Sequence, residues 1–277
     1  MRRSWRAPSL VTGGVLVGLV LLVAAVSFFW TPTDPSRVVI GQRFAAPGRQ
    51  GYLLGSDELG RDVLSMLMAG ARNTLLVGIV TVVTALAVGV PLGGVAALKG
   101  GRLEDVVMRA GDVLLAFPAL LLAMLFAAAF RPSTVTAMAA IGIAFVPVFA
   151  RVVRGVGLQI MEQDYVTAAR SFGSGGWWLF WRHLLPNVAA VVTVQATVAF
   201  AIAILAEAAL SYLGLGTPPP TPSWGRMLSE AQSYLDQDPA LAIWPGGCIA
   251  LTVLGFNLLG DGLRDLLDPR LVERVAQ

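Results

Sequence analysis

Little in this chain can do covalent chemistry. It has a single histidine, His183, a single cysteine, Cys248, and a single lysine, Lys99, well separated from one another. One Cys and one His make neither a metal site nor an internal disulfide, and Cys248, in an apolar run, reads as a small buried hydrophobe. The phosphate-cradling pattern G-x-x-x-x-G-K-[ST] is missing, as are G-x-S-x-G and H-E-x-x-H. The chain therefore reads as a non-catalytic protein with no cofactor and no metal of its own. Two features remain. The first is Val153 to Asn187, a charged, aromatic and Gly-rich stretch between two long apolar runs. The second is Glu207, the one acidic residue well inside such a run. An intramembrane carboxylate is a functional candidate by default. Its place near the outer end of the run favours a structural role, reaching interfacial water or the following loop, over a place on a transport pathway.

The chemistry available to Val153–Asn187 is binding. Two short helices around a Gly break are expected. The first, about 162–172, is led by Glu162 and Asp164, whose charges suit a helix N-terminus, and ends at Gly173, with Gly175 and Gly176 turning the chain. The second, Trp177–Leu184, is stopped by Pro186. Ala168 and Ala169 would bare the first helix's backbone to a groove on another protein. Trp177, Trp178, Phe180 and Trp181 could anchor the second at the lipid interface. A partnerless amphipathic surface helix fits the composition equally well.

The elements that must position this stretch are membrane spans. Hydrophobic residues make up 56% of the 277 and charged residues 13%, about half the share of a soluble domain. Several apolar runs exceed the roughly 18 residues that mark a spanning helix. Six spans are expected, at about 10–30, 74–97, 113–130, 134–151, 188–212 and 241–259. The first, ending in Phe28-Phe29-Trp30, is too long for a signal h-region and lacks a small-x-small cleavage site. With residues 1–9 inside, the inner segments hold Arg2, Arg3, Arg6, Lys99, Arg102, Arg109, Arg151, Arg154, Arg170, Arg182, Arg264, Arg270 and Arg274. The outer segments hold Arg37, Arg43, Arg49, Arg61, Arg72, Arg131 and Arg226, so 13 + 7 account for all 20 basic residues. The bias places both termini and Val153–Asn187 in the cytoplasm. Residues 31–73 become an extracytoplasmic connection, 74–260 a five-helix core with an outer loop at 214–240, and 261–277 a cytoplasmic tail. The Pro cluster of Thr217–Trp224 favours a stiff extended strap. Gly14/Gly18 and Gly89/Gly93 have the spacing that lets helices approach closely, and Pro91, Pro118, Pro147 and Pro245 are candidate kinks. A net charge of +3, scattered between helices, argues against nucleic-acid binding.

Several strings resemble one family, the inner-membrane permease subunits of binding-protein-dependent ABC importers. Their cytoplasmic signature runs E-A-A-x3-G-x9-I-x-L-P. Here Thr167-Ala168-Ala169, Gly173 and Leu185-Pro186 stand at the matching offsets, with Thr167 in place of the Glu and His183 in place of the Ile. Gly55–Asp62 with Ser65, Ala206–Gly216, Pro222–Gly225 and Phe256–Asp265 are similar to the dipeptide/oligopeptide/nickel subfamily, over about 54–270. The resemblance implies an all-α membrane protein of the type I importer kind, with six spans and cytoplasmic coupling helices, in a bacterial inner membrane. It further implies a heterodimer with a related permease. Two cytosolic ATPase subunits or domains would bind the ATP and Mg, an extracytoplasmic substrate-binding protein would deliver solute, and lipid would surround the assembly. The coupling residues it implies are Asp164, Tyr165, Thr167, Ala168, Ala169, Arg170, Gly173, His183, Leu185 and Pro186. The rival readings are a secondary carrier or channel, and a scaffold without transport role.

Overall fold

The computed structural model describes residues 8–130 and 133–267. Arg2, Arg3, Arg6, Arg131, Arg270 and Arg274, which contribute to the charge bias, lie outside the described residues, as does the end of the expected 261–277 tail. Every regular element among those described is helical: α1 (Pro8–Ser27), α2 (Val63–Lys99), α3 (Gly101–Leu115), α4 (Ala119–Phe130), α5 (Thr134–Met161), α6 (Asp164–Ser171), α7 (Gly176–Leu179), α8 (Leu185–Tyr212), α9 (Trp224–Ala231) and α10 (Ala240–Leu267). A π turn at Phe180–Leu184 joins α7 to α8.

Lipid is as apolar as leucine, so helices in a bilayer associate through close packing rather than through the hydrophobic effect, and small residues mark the contacts. Gly89 and Gly93 of α2 do this against α5. A Cβ on Gly89 would lie 2.7 Å from the Val146 carbonyl oxygen, and one on Gly93 would fall on the backbone of Ala150. Gly78 makes room for Phe200 of α8, which stacks on Phe256 of α10 at 4.1 Å. The Gly14/Gly18 expectation fails, because both face open space. α1 instead uses Gly13, one residue earlier, against the 255–259 backbone of α10, while Gly255 and Gly262 of α10 receive Val17 and Leu10. Which glycine of such a cluster meets a neighbour depends on the helix's rotation, and local spacing does not specify that.

Five of the expected spans are single helices with shifted ends. α2 starts at Val63, so residues 63–73 are helix rather than connection. Asp62 caps it, its carboxylate accepting from the Ser65 N–H at 3.1 Å. α5 continues past 151 to Met161 and takes in Arg151 and Arg154. The span expected at 113–130 is broken instead: α3 and α4 meet at 84° across Ala116–Pro118. Proline lacks the N–H a continuing helix needs and pushes the residue before it out of helical geometry. α3 buries none of its residues and rests on α5 through the ion pairs Arg154–Glu104 and Arg151–Asp112. Pro91, Pro147 and Pro245 lie within continuous helices.

Residues 31–62 and 213–239 fold together into a cap over one end of the bundle. The string Gly55–Asp62 builds its hinge. Gly55 and Gly60 adopt φ of 90° and 75°, and the Asp57 carboxylate accepts from the N–H groups of Leu59 (2.9 Å) and Arg61 (2.8 Å). The Arg61 guanidinium then pairs with Asp57 (2.5 Å), Glu58 (3.3 Å) and, across the cap, Glu230 (2.7 Å). These three carboxylates come close enough together to suggest a cation site, but Arg61 already serves all three. Burial first, and Asp57 second, push the Glu58 carboxyl above its ordinary value. A raised folded value means that Glu58 favours the folded cap below the ordinary glutamate range, and that this contribution is lost as the pH rises through the raised value. The Pro cluster is not extended. It folds back through a turn (Thr221 N–H to the Pro218 carbonyl, 3.2 Å), and Asn73 of α2 donates to the Pro222 carbonyl at 2.7 Å.

Candidate coupling site

Val153–Asn187 is built as a seat and a tip. The seat is a cluster of buried apolar residues, Val90, Val153, Ile160, Met161, Val166, Leu179, Phe180, Leu184 and Val188, drawn from α2, α5, α6, α7, the π turn and α8. Glycines let these elements close up. Gly94 of α2 admits Phe180 and Leu184, and Gly157 of α5 sits where a Cβ would lie 2.7 Å from the Ala97 methyl. Phe180 is thus core, not the lipid anchor expected from its place in the aromatic run. Of that aromatic run, Trp177, Trp178 and Trp181 are left outside.

The tip is α6. It starts at Asp164, two residues later than expected, because Glu162 ends α5 and Gln163 supplies the N-cap position. Val166 is its one fully buried residue and plugs it into the seat. Arg170 reaches back to the Met161 sulfur at 3.4 Å. Asp164, Thr167, Ala168 and Arg170 are exposed, and Ala169 is half-buried. The helix ends as its composition requires. Gly173 takes φ of 85° and donates to the Arg170 carbonyl at 2.9 Å, while Ser174 donates to that of Ala169 at 3.1 Å. Phe172 stands just before that glycine with 91% of its surface exposed. Sequence reasoning passed over it, although an apolar residue off the Val166 stripe and directly ahead of a helix-ending glycine is a legible sign of a protruding knob.

Pro186 does not stop a second helix. α7, the π turn and α8 run on as one rod, Gly176–Tyr212, of 37 residues. In the π turn the Leu185 N–H bonds to the Phe180 carbonyl, five residues back, and this wider turn absorbs the residue whose N–H is missing. Leu185 is half-buried and Pro186 exposed in the first turn of α8. His183 lies in the π turn, its ring 5.4 Å from that of Tyr165 on α6 and 5.0 Å from that of Trp178, with Nε2 buried and without a hydrogen-bond partner among the described residues. Aromatic packing thus ties the tip to the rod. Glu207 belongs to none of this. At 24 residues beyond His183 it is about 36 Å away along the rod. It was expected to reach interfacial water or the following loop; it is fully buried, and Thr217 of that loop lies 3.5 Å from its carboxylate.

α6 is thus a seated, glycine-ended helix joined by aromatic packing to a spanning rod. Residues 89–273 match the family described as binding-protein-dependent transport system inner membrane component. The chain belongs to this family. It is 42% identical over 265 residues to the di/tripeptide transport system permease protein DppC of Pseudomonas aeruginosa, covering 94% of this chain and 88% of that one. It is 42% identical over 266 residues to the dipeptide transport system permease protein DppC of Escherichia coli, covering 94% and 89%. With the glutathione transport system permease protein GsiD of Pectobacterium atrosepticum it shares 38% over 270 residues, 98% and 90% of the two. The chain is accordingly a multi-pass membrane permease subunit of an ABC importer, with the all-helical type I permease fold, and it works with ATPase and substrate-binding partners.

The closing glycine can be tested directly. Nothing stands within 4 Å of a Cβ on Gly173, so a side chain there meets strain and no clash. Gly173→Asn, a residue that tolerates left-handed backbone, is expected to keep transport. Gly173→Val places a branched side chain there at a cost of about 1–2 kcal/mol, and ATP-driven uptake should be lost while membrane content is unchanged.

Proposed function

We propose that this permease forms half of the transmembrane pathway for di- and tripeptides or similar short peptides, beside a related permease, in a bacterial inner membrane with both termini cytoplasmic. Two ATPase subunits bind and hydrolyse the ATP, and this chain is not catalytic. They grip α6 through Asp164, Tyr165, Thr167, Ala168, Ala169, Arg170 and the Phe172–Gly173 corner. His183, Leu185 and Pro186 join that grip to α8. The observation that carries this reading is the tip itself, a short helix plugged into the bundle by Val166 and presenting Phe172 almost entirely to the outside. The relatives' names carry the cargo class, since they specify dipeptides, di/tripeptides and glutathione. ATP closure of the ATPase pair would move α6 and the rod as a unit, and the solute must bind the two resulting states differently for transport to be coupled at all. Proteoliposomes holding the full complex and its binding protein should accumulate labelled dipeptide only while ATP is hydrolysed. Accumulation on an ion gradient without ATP would make the chain a secondary carrier and end this reading.

A further inference from the structure

Glu207 is a buried carboxylate with no basic partner among the described residues. It is held by hydroxyls from three elements: Ser211 of α8 at 2.7 Å, Thr74 of α2 at 3.3 Å and Thr217 of the cap at 3.5 Å. Ser223, which caps α9, acts on it as a fourth. The Ser211 hydroxyl in turn accepts from the Thr217 N–H at 3.1 Å. Burying a carboxylate without a counter-charge is expensive, and an apolar residue would fill the same space more cheaply. What the carboxylate adds is direction, by fixing one point of the cap on the ends of two spanning helices. Around that point the cap is clamped further. Gly225 lies on the Ala208 backbone and Gly216 on Ser211, so closely that neither has room for a side chain, and the buried indole of Trp224 donates to the Leu67 carbonyl of α2 at 3.0 Å.

No glycine and no internal proline interrupts the helix beneath Glu207. α8 alone among the long helices carries no glycine, and its one proline is in the first turn. With α7 and the π turn it makes a rod about 55 Å long, its inner end packed through His183 against Tyr165 of the tip and its outer end carrying Glu207. We propose that Glu207 is the positioning residue that makes the cap move with this rod, so that a state set at the tip is presented to the binding protein on the opposite face. This rests on the coupling reading given above.

The test uses the whole complex in proteoliposomes, comparing basal ATP hydrolysis with hydrolysis stimulated by the loaded binding protein. Glu207→Ala should leave basal hydrolysis unchanged and lower the stimulation about tenfold or more, a usual size for coupling between sites. Glu207→Gln should retain stimulation, because its amide oxygen can accept from Ser211 and Thr217 while its NH₂ donates to the Thr74 hydroxyl. Thr217→Val, which removes the cap's Thr217 hydroxyl but keeps its N–H bond to Ser211, should lower the stimulation in the same direction and provides the readout should Glu207→Ala fail to assemble. Full stimulation in both Glu207→Ala and Thr217→Val, an equal fall of basal and stimulated rates, or a Gln variant as defective as Ala would overturn the inference. A wild-type complex lacking any binding-protein-stimulated hydrolysis would instead overturn the importer coupling on which the inference rests.

Discussion

Replacing Phe172 with aspartate is expected to abolish ATP-driven uptake while leaving the permease folded and in the membrane. Phe172 is 91% exposed, so its loss removes almost no internal contact. At an interface the same ring would be a central anchor. Truncating such an anchor typically costs about 2–4 kcal/mol, which weakens docking about 30- to 1,000-fold, and a carboxylate would add the cost of burying a charge in the partner's groove. Co-purification of the ATPase subunits with the variant is the direct measurement, and Phe172→Leu should keep most of the association. Val166→Asp is the contrasting case. It places a charge in the fully buried seat, so the protein itself should be depleted. Equal retention of the ATPase by wild type and Phe172→Asp would remove the tip from the docking surface.

Arg61→Ala should destabilise the cap by about 3–5 kcal/mol, the usual cost of removing one partner from a buried ion pair. Arg61 is 8% exposed and is the cation shared by Asp57, Glu58 and Glu230. Without it three carboxylates face one another. Limited proteolysis within residues 31–62 should accelerate, with the spans still protected. A second substitution, Glu230→Ala, should return part of the loss, because it relieves the repulsion that the first created. The defect should also shrink at acid pH, where Glu58, already displaced toward the protonated form, takes up a proton. Unchanged cleavage in Arg61→Ala would show that the cap is held by packing alone.

Much of the candidate site is legible in one dimension because its cues are local. Asp164, Gly173 and the apolar run after Asn187 each act on their own few residues, so the tip's helix, its end and its polar character follow from type and order. Pro186 misleads for a physical reason. A proline forbids the next bond of an α-helix, but a π turn ahead of it shifts the bonding by one residue, and the buried packing of Phe180 and Leu184 against Gly94 supports that turn. Phe180 and Trp181 are neighbours of similar chemistry, yet only the bundle decides that the first is core and the second surface. The bend in the span expected at 113–130 is hidden for a similar reason. Hydropathy sums over a window and registers length, whereas the 84° bend at Pro118 is a question of direction.

The sequence by itself determined that this is a helical membrane protein with no G-x-x-x-x-G-K-[ST] string, and it marked one polar segment, Val153–Asn187, as the candidate for binding. Hydropathy, motif spacing and turn chemistry are properties of short stretches, so no fold is needed to read them. The tertiary structure decided which glycines meet a neighbour, that the two segments flanking the spans close into one cap through Arg61 and Glu230, and that Glu207 turns inward to Thr74 and Thr217. Those contacts join residues far apart in the chain, and their energies exist only once rotation and crossing of the helices have brought the partners within reach.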